Sequence, residues 1–147
     1  MNIKKRLAAY LDNYLNPPRM RFSKTLGKST SFDYASCEEM SINTYIDNNK
    51  DENTFQIKLF NLIDKKELKD SDVYNKVNID RRLFSKIRSN KDYHPSKETV
   101  ILLGIALELE EYEIEDLLES ASYSLPMNTT YDLIIRFCFK EHIYNLN

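Results

Sequence analysis

A chain of 147 residues fits one domain with an appended segment, and 41% apolar residues with 12% aromatics suffice for a buried core. Two glycines and four prolines are too few turn formers for many short strands, which points to an all-α protein of helices joined by short polar links. The net charge of −2 conceals a partition. Residues 1–28 carry Lys4, Lys5, Arg6, Arg19, Arg21, Lys24 and Lys28 against Asp12, and residues 81–97 carry Arg81, Arg82, Lys86, Arg88, Lys91 and Lys97 against Asp92. The acids gather later, at Glu108, Glu110, Glu111, Glu113, Glu115, Asp116 and Glu119. Such blocks are either solvated helix faces or the two poles of a dipolar molecule.

The opening MNIKKRLAAYLDNYL is too polar for a signal peptide, and no apolar run reaches the length of a membrane span. Cys37 and Cys138 form no spaced framework, so free thiols and a cytoplasmic protein are expected. Within residues 2–15, Ile3, Leu7, Leu11 and Leu15 recur at helical spacing beside Ala8 and Tyr14, and Asn16-Pro17-Pro18 ends the helix. From Arg19 to Asn53 the pattern dissolves into a polar linker with a weak helix around Cys37 to Ile46. The expected organisation is therefore an amphipathic helix with a linker over 1–53 and a compact domain over 54–147.

Phe55, Leu59, Leu62 and Ile63 line the first helix of that domain, which the KKELKD stretch closes. Asp70 or Ser71 is placed to cap a helix through about Val77, Asn78 to end it in the left-handed conformation, and Asp80 to cap a helix from Arg81 to Ser89. Val73, Val77, Ile79, Phe84 and Ile87 then point inward, and Arg81, Arg82, Ser85 and Arg88 outward. After the loop Asn90 to Pro95, Ser96 caps a helix that buries Val100, Leu103, Ala106, Leu107 and Leu109. Glu113 to Ser120 forms the next, with Ile114, Leu117 and Leu118 inward, and Thr129 with Asp132 opens a last one through about His142. That last helix is apolar nearly all round. Leu133 and Phe137 are expected on the domain, with Ile134, Cys138, Phe139 and Ile143 needing another cover: the N-terminal helix or a second copy of the chain.

The stretch LKDSDVYNKVNIDRRLFSKIRSNKDYHPSKETVILLGIALELEEYEIEDLL, residues 68–118, resembles the five-helix lambda-repressor/Cro (XRE-type) helix-turn-helix family. Asn78 stands where that family usually has a turn glycine, Ile79 is the buried residue after it, Asp80 caps the recognition helix, and Phe84 and Ile87 form its core side. The closer resemblance, with Ile79 to Asn90 as its hallmark, is to a helical module at the C-terminal end of some bacterial macrodomain-associated proteins. The chain departs from the repressor pattern at Tyr74, where a small residue is usual, and at Leu83, an outward position. It departs again at Asp70, where an uncharged polar residue usually lies near a phosphate. Leucine at position 83 suits a thymine methyl or a protein partner.

The resemblance implies a non-enzymatic transcriptional regulator bound to double-stranded DNA. Arg81, Arg82 and Ser85 would read bases, and Lys86, Arg88, Lys91 and Lys97 would hold phosphates. The alternative is an adaptor or antitoxin-like module that binds a protein through Leu83 and the last helix. A twofold homodimer through that helix would serve a palindromic site. No cofactor is implied. His94 and His142 are the only histidines and sit in no catalytic or metal-ligating pattern; Cys138 and His142, four apart, are half of a metal site at most.

Overall fold

Helical spacing of apolar residues, interrupted by polar residues able to cap, yields an all-helical chain, and the computed structural model contains helices and no strand among the residues it describes. These are residues 2–16, 41–50 and 53–146. Pro17 and Pro18, the cations Arg19, Arg21, Lys24 and Lys28, Cys37 and most of the expected linker lie outside them. The eight helices are α1 (Ile3–Leu15), α2 (Ile42–Asn49), α3 (Phe55–Lys65), α4 (Asp70–Lys76), α5 (Arg81–Ser89), α6 (Lys97–Ala106), α7 (Glu111–Ser120) and α8 (Thr130–Lys140). No helix of the described residues is long and apolar enough to cross a membrane. Helix α2 belongs to the segment 18–52, which forms a unit of its own; α1 and α3 to α8 form the other.

The core of the larger unit is built on α6. Val100, Ile101, Leu103, Gly104, Ile105 and Ala106 are all buried, the signature of a helix surrounded by others. It packs against α7 and α4, α7 packs against α3 and α8, and α4 against α5. Phe55, Leu59 and Ile63 supply the inner stripe of α3, as their spacing predicts. The start of α6 follows the expected cap, with Thr99 N–H donating to Ser96 Oγ at 3.2 Å. At α8, Asp132 N–H donates to Thr129 Oγ1 at 3.2 Å.

One expectation about α8 and one about α4 need correction. Phe139, expected to need another cover, is 1% exposed and belongs to the core cluster. Phe137 is buried as expected, and its ring also meets α1, 5.3 Å from that of Tyr10. Arg6 pairs with Glu141, and Lys140 Nζ lies 5.5 Å from the Tyr10 ring. Helix α1 thus covers the second face of α8 within one chain. At α4 neither Asp70 nor Ser71 is the N-cap. Lys69 is, and its N–H donates to Asp72 Oδ2 at 3.3 Å, while Asp70 is already the first helical residue.

Five helices end in the same way. Glu67, Asn78, Glu108, Ser122 and His142 have φ between 50° and 65°. The next residue in each case sends its N–H back across the last turn, from Leu68 to Ile63 O, Ile79 to Tyr74 O, Leu109 to Gly104 O, Tyr123 to Leu118 O and Ile143 to Cys138 O. This satisfies carbonyls that a helix end leaves open, and the apolar residue that follows folds back onto the helix. Left-handed backbone favours glycine and disfavours β-branched residues. Asn78→Gly should therefore shift stability by less than about 1 kcal/mol, whereas Asn78→Val should be clearly destabilising. Thermal melts compare the two; equal melting temperatures would move the turn elsewhere.

Candidate nucleic-acid interface

The turn between α4 and α5 places α5 by three local features. Asn78 at φ 54° reverses the chain, Ile79 plugs the corner at 8% exposure, and Arg82 N–H donates to Asp80 Oδ1 at 2.6 Å. Phe84 and Ile87 anchor the inner face. Around Phe84 stand Tyr74, at 5.5 Å between ring centres, and Phe60, edge-on at 6.0 Å. Tyr74 thus serves as a wall of the Phe84 socket. Gln56 of α3 closes the far end of α5, its Nε2 donating to Ile87 O at 3.1 Å and to Arg88 O.

With that face fixed, the other is set by the helical period. Arg81, Arg82, Ser85 and Lys86 are all exposed on α5, and the side chains of Arg81, Arg82 and Ser85 have no ion-pair or hydrogen-bond partner among the described residues. Lys86 Nζ lies 5.4 Å from the Tyr93 ring. Lys91 is exposed in the following loop, where Asp92 N–H donates to Asn90 Oδ1 at 3.0 Å. The loop is tied to the end of α7, with His94 Nε2 donating to Ala121 O at 2.7 Å and Tyr123 Oη to Pro95 O at 2.8 Å. His94 therefore has a structural partner.

The other two cations named from the sequence are committed to partners within the fold. Arg88 forks onto Asp70, Nε to Oδ2 and Nη2 to Oδ1, both at 2.6 Å, and its guanidinium lies 4.0 Å from the Phe60 ring centre. Lys97 pairs with Asp132 of α8 at 2.5 Å. Burial of the Asp132 carboxyl acts to raise its pKa, but the Lys97 ammonium and the Thr129 hydroxyl outweigh it and hold the group below the usual carboxylate range. Leu83, expected to point outward, is half-buried and packs against the core. A partner would meet only its edge.

The acidic block is largely neutralised by cations that sequence spacing does not reveal. Lys58 reaches Asp116 at 2.8 Å, Lys65 reaches Glu113 at 3.4 Å, and Lys76 reaches Glu108 at 2.6 Å. Arg136, itself buried, pairs with Glu111 at 2.9 Å and with Glu115, and donates to Leu125 O at 2.8 Å. Of these, only the pair of Lys76 and Glu108 is exposed on both sides, and such a pair adds little stability. Together the pairs remove much of the opposing pole, while Arg81 and Arg82 on α5 keep no charge partner among the described residues. Cys138 is half-buried, with burial raising its thiol pKa, and His142 lies beyond the end of α8 with Nδ1 3.2 Å from Tyr144 Oη. Among the described residues no group of His, Cys, Asp or Glu could hold a metal ion.

Comparison of the chain with protein-family models, with curated proteins and with solved structures returns no match.

Proposed function

We propose that this chain is a DNA-binding transcriptional regulator, with α3 to α7 as a five-helix domain of the lambda-repressor type and α5 as its recognition helix. One observation carries it: Arg81, Arg82, Ser85 and Lys86 stand exposed together on a helix whose other face is buried and which follows a tight turn from α4. An α-helix fits the major groove, and guanidinium groups in its first turns match the paired acceptors of guanine. Arg81, Arg82 and Ser85 then read base edges, while Lys86 and Lys91 contact phosphates on either side. Lys97, paired with Asp132, is left out of the contact set. In this role the protein binds and performs no chemistry.

Base readers and phosphate holders differ in what their loss does. Arg82→Ala should cost about 1 to 3 kcal/mol at a preferred site, as for a lost bidentate base contact, and should blur discrimination there. Lys91→Ala should weaken all sequences alike and lower the salt slope by about one. Fluorescence anisotropy with preferred and scrambled duplexes reads both effects. If both variants bound every duplex as tightly as the parent, α5 would not be a recognition helix.

A further inference from the structure

Helix α5 ends unlike the helices packed around it. Those close on a left-handed residue whose successor sends its N–H back across the last turn. Asn90, which ends α5, has φ −117°, and among the described residues no backbone N–H reaches Ile87 O or Arg88 O. These carbonyls are met instead by a side chain that lies thirty-one and thirty-two positions earlier: Gln56 Nε2 donates to Ile87 O at 3.1 Å and to Arg88 O. Gln56 is half-buried in the first turn of α3, beside Phe55, which belongs to the core. Its two amide protons are thus held where α5 has two carbonyls that its own backbone leaves open.

We propose that Gln56 is a positioning residue for α5, a C-terminal cap supplied by another helix that fixes where α5 stops and where the loop carrying Lys91 begins. Its effect on DNA rests on the function proposed above; the cap itself does not. What the cap requires at position 56 is a hydrogen-bond donor, because the end of α5 is the negative pole of that helix and repels an acceptor. The needs of α3 are the opposite. Position 56 lies at the positive pole of α3, where a carboxylate is favourable and a cation unfavourable. A cap for α5 and a residue that serves α3 alone therefore rank glutamate and lysine at this position in opposite order.

Two measurements on the full chain test this. Amide exchange followed by NMR in the absence of DNA reads the cap. Gln56→Ala and Gln56→Glu should lower the protection of the Ser89 and Asn90 amides about three- to tenfold, the loss expected for one or two hydrogen bonds. The amides of α6 should keep their protection, which shows that the fold is intact. Gln56→Lys, which restores a donor, should stay within about twofold of the parent. The ratio of affinities for a preferred and a scrambled duplex reads the positioning. A change of charge at position 56 weakens or strengthens all sequences alike and cancels in that ratio. The ratio should fall about threefold or more for Gln56→Ala and Gln56→Glu and recover for Gln56→Lys. A glutamate variant protected as well as the parent beside a less protected lysine variant would assign Gln56 to α3 and overturn the cap. Lost protection with an unchanged ratio would overturn the positioning role. Lost protection in a protein that, unsubstituted, prefers no duplex would keep the cap and remove the DNA function.

Discussion

Phe139→Glu is expected to abolish cooperative folding. The ring is 1% exposed, lies edge-on to Tyr144 at 6.0 Å, and closes the core over α6. Losing a buried phenyl group alone costs about 3 to 5 kcal/mol, and a carboxylate left there without a cation adds several more unless it takes up a proton. The sum rivals the whole stability of a domain this size, about 5 to 15 kcal/mol. Phe139→Leu keeps the site apolar and should cost only about 1 to 2 kcal/mol. Urea unfolding and near-ultraviolet circular dichroism measure the difference. A glutamate variant that melted like the parent would mean that α8 turns this residue toward water.

Gly104 is the second point where a small change should have a large effect. It lies in the middle of α6, where alanine is ordinarily better than glycine by about 1 kcal/mol. Here a Cβ would overlap Cδ1 of Ile114 and stand 3.1 Å from Cζ of Phe139. Ile114 is fully buried on α7 and Phe139 is held on α8, so neither can yield without disturbing the packing of a second helix. Gly104→Ala should therefore be destabilising by about 1 to 3 kcal/mol despite its helix propensity. Ile114→Val removes the overlapping methyl at a cost of its own of about 0.5 to 1.5 kcal/mol. The double variant should be more stable than the sum of the two by about 1 kcal/mol, a coupling that denaturant titrations resolve. Gly104→Ala with stability equal to or above the parent would place the three helices further apart than described.

Local patterns carried most of the secondary structure. The stripe Phe55, Leu59 and Ile63, the caps Asp80, Ser96 and Thr129, and the left-handed Asn78 are where spacing and side-chain chemistry predict them. Helix α7 begins at Glu111, earlier than expected, because Glu110 N–H donates to Glu113 at 3.0 Å and turns a charged stretch that looked like loop into a helix start. Of the five left-handed helix ends only Asn78 is recognisable by residue type. Glu67, Glu108, Ser122 and His142 could have been found by a different signal, a polar residue followed at once by an apolar one where the helical stripe stops. Pairings across the fold left no local trace. Arg88 meets Asp70 eighteen positions away, Lys97 meets Asp132 thirty-five away, and Gln56 reaches the end of α5 from α3. These pairings decide which cations stay free for a ligand, so the sequence shows the α5 cluster but not the commitment of two of its supposed members. The apolar excess of α8 was visible, yet its division between the core at Phe139 and α1 at Phe137 depends on helix packing that periodicity does not encode.

The most direct test of the proposal that α5 reads DNA is titration of the full chain against fragments of the DNA upstream of its own gene. Mobility shifts at two salt concentrations, with and without excess unrelated competitor DNA, separate backbone attraction from base recognition. The expected result is one fragment whose complex survives competitor, weakens as salt rises, and is lost when Arg81 and Arg82 are both changed to alanine. Equal, competitor-sensitive binding to every fragment, or none at all, would contradict a sequence-reading role for α5.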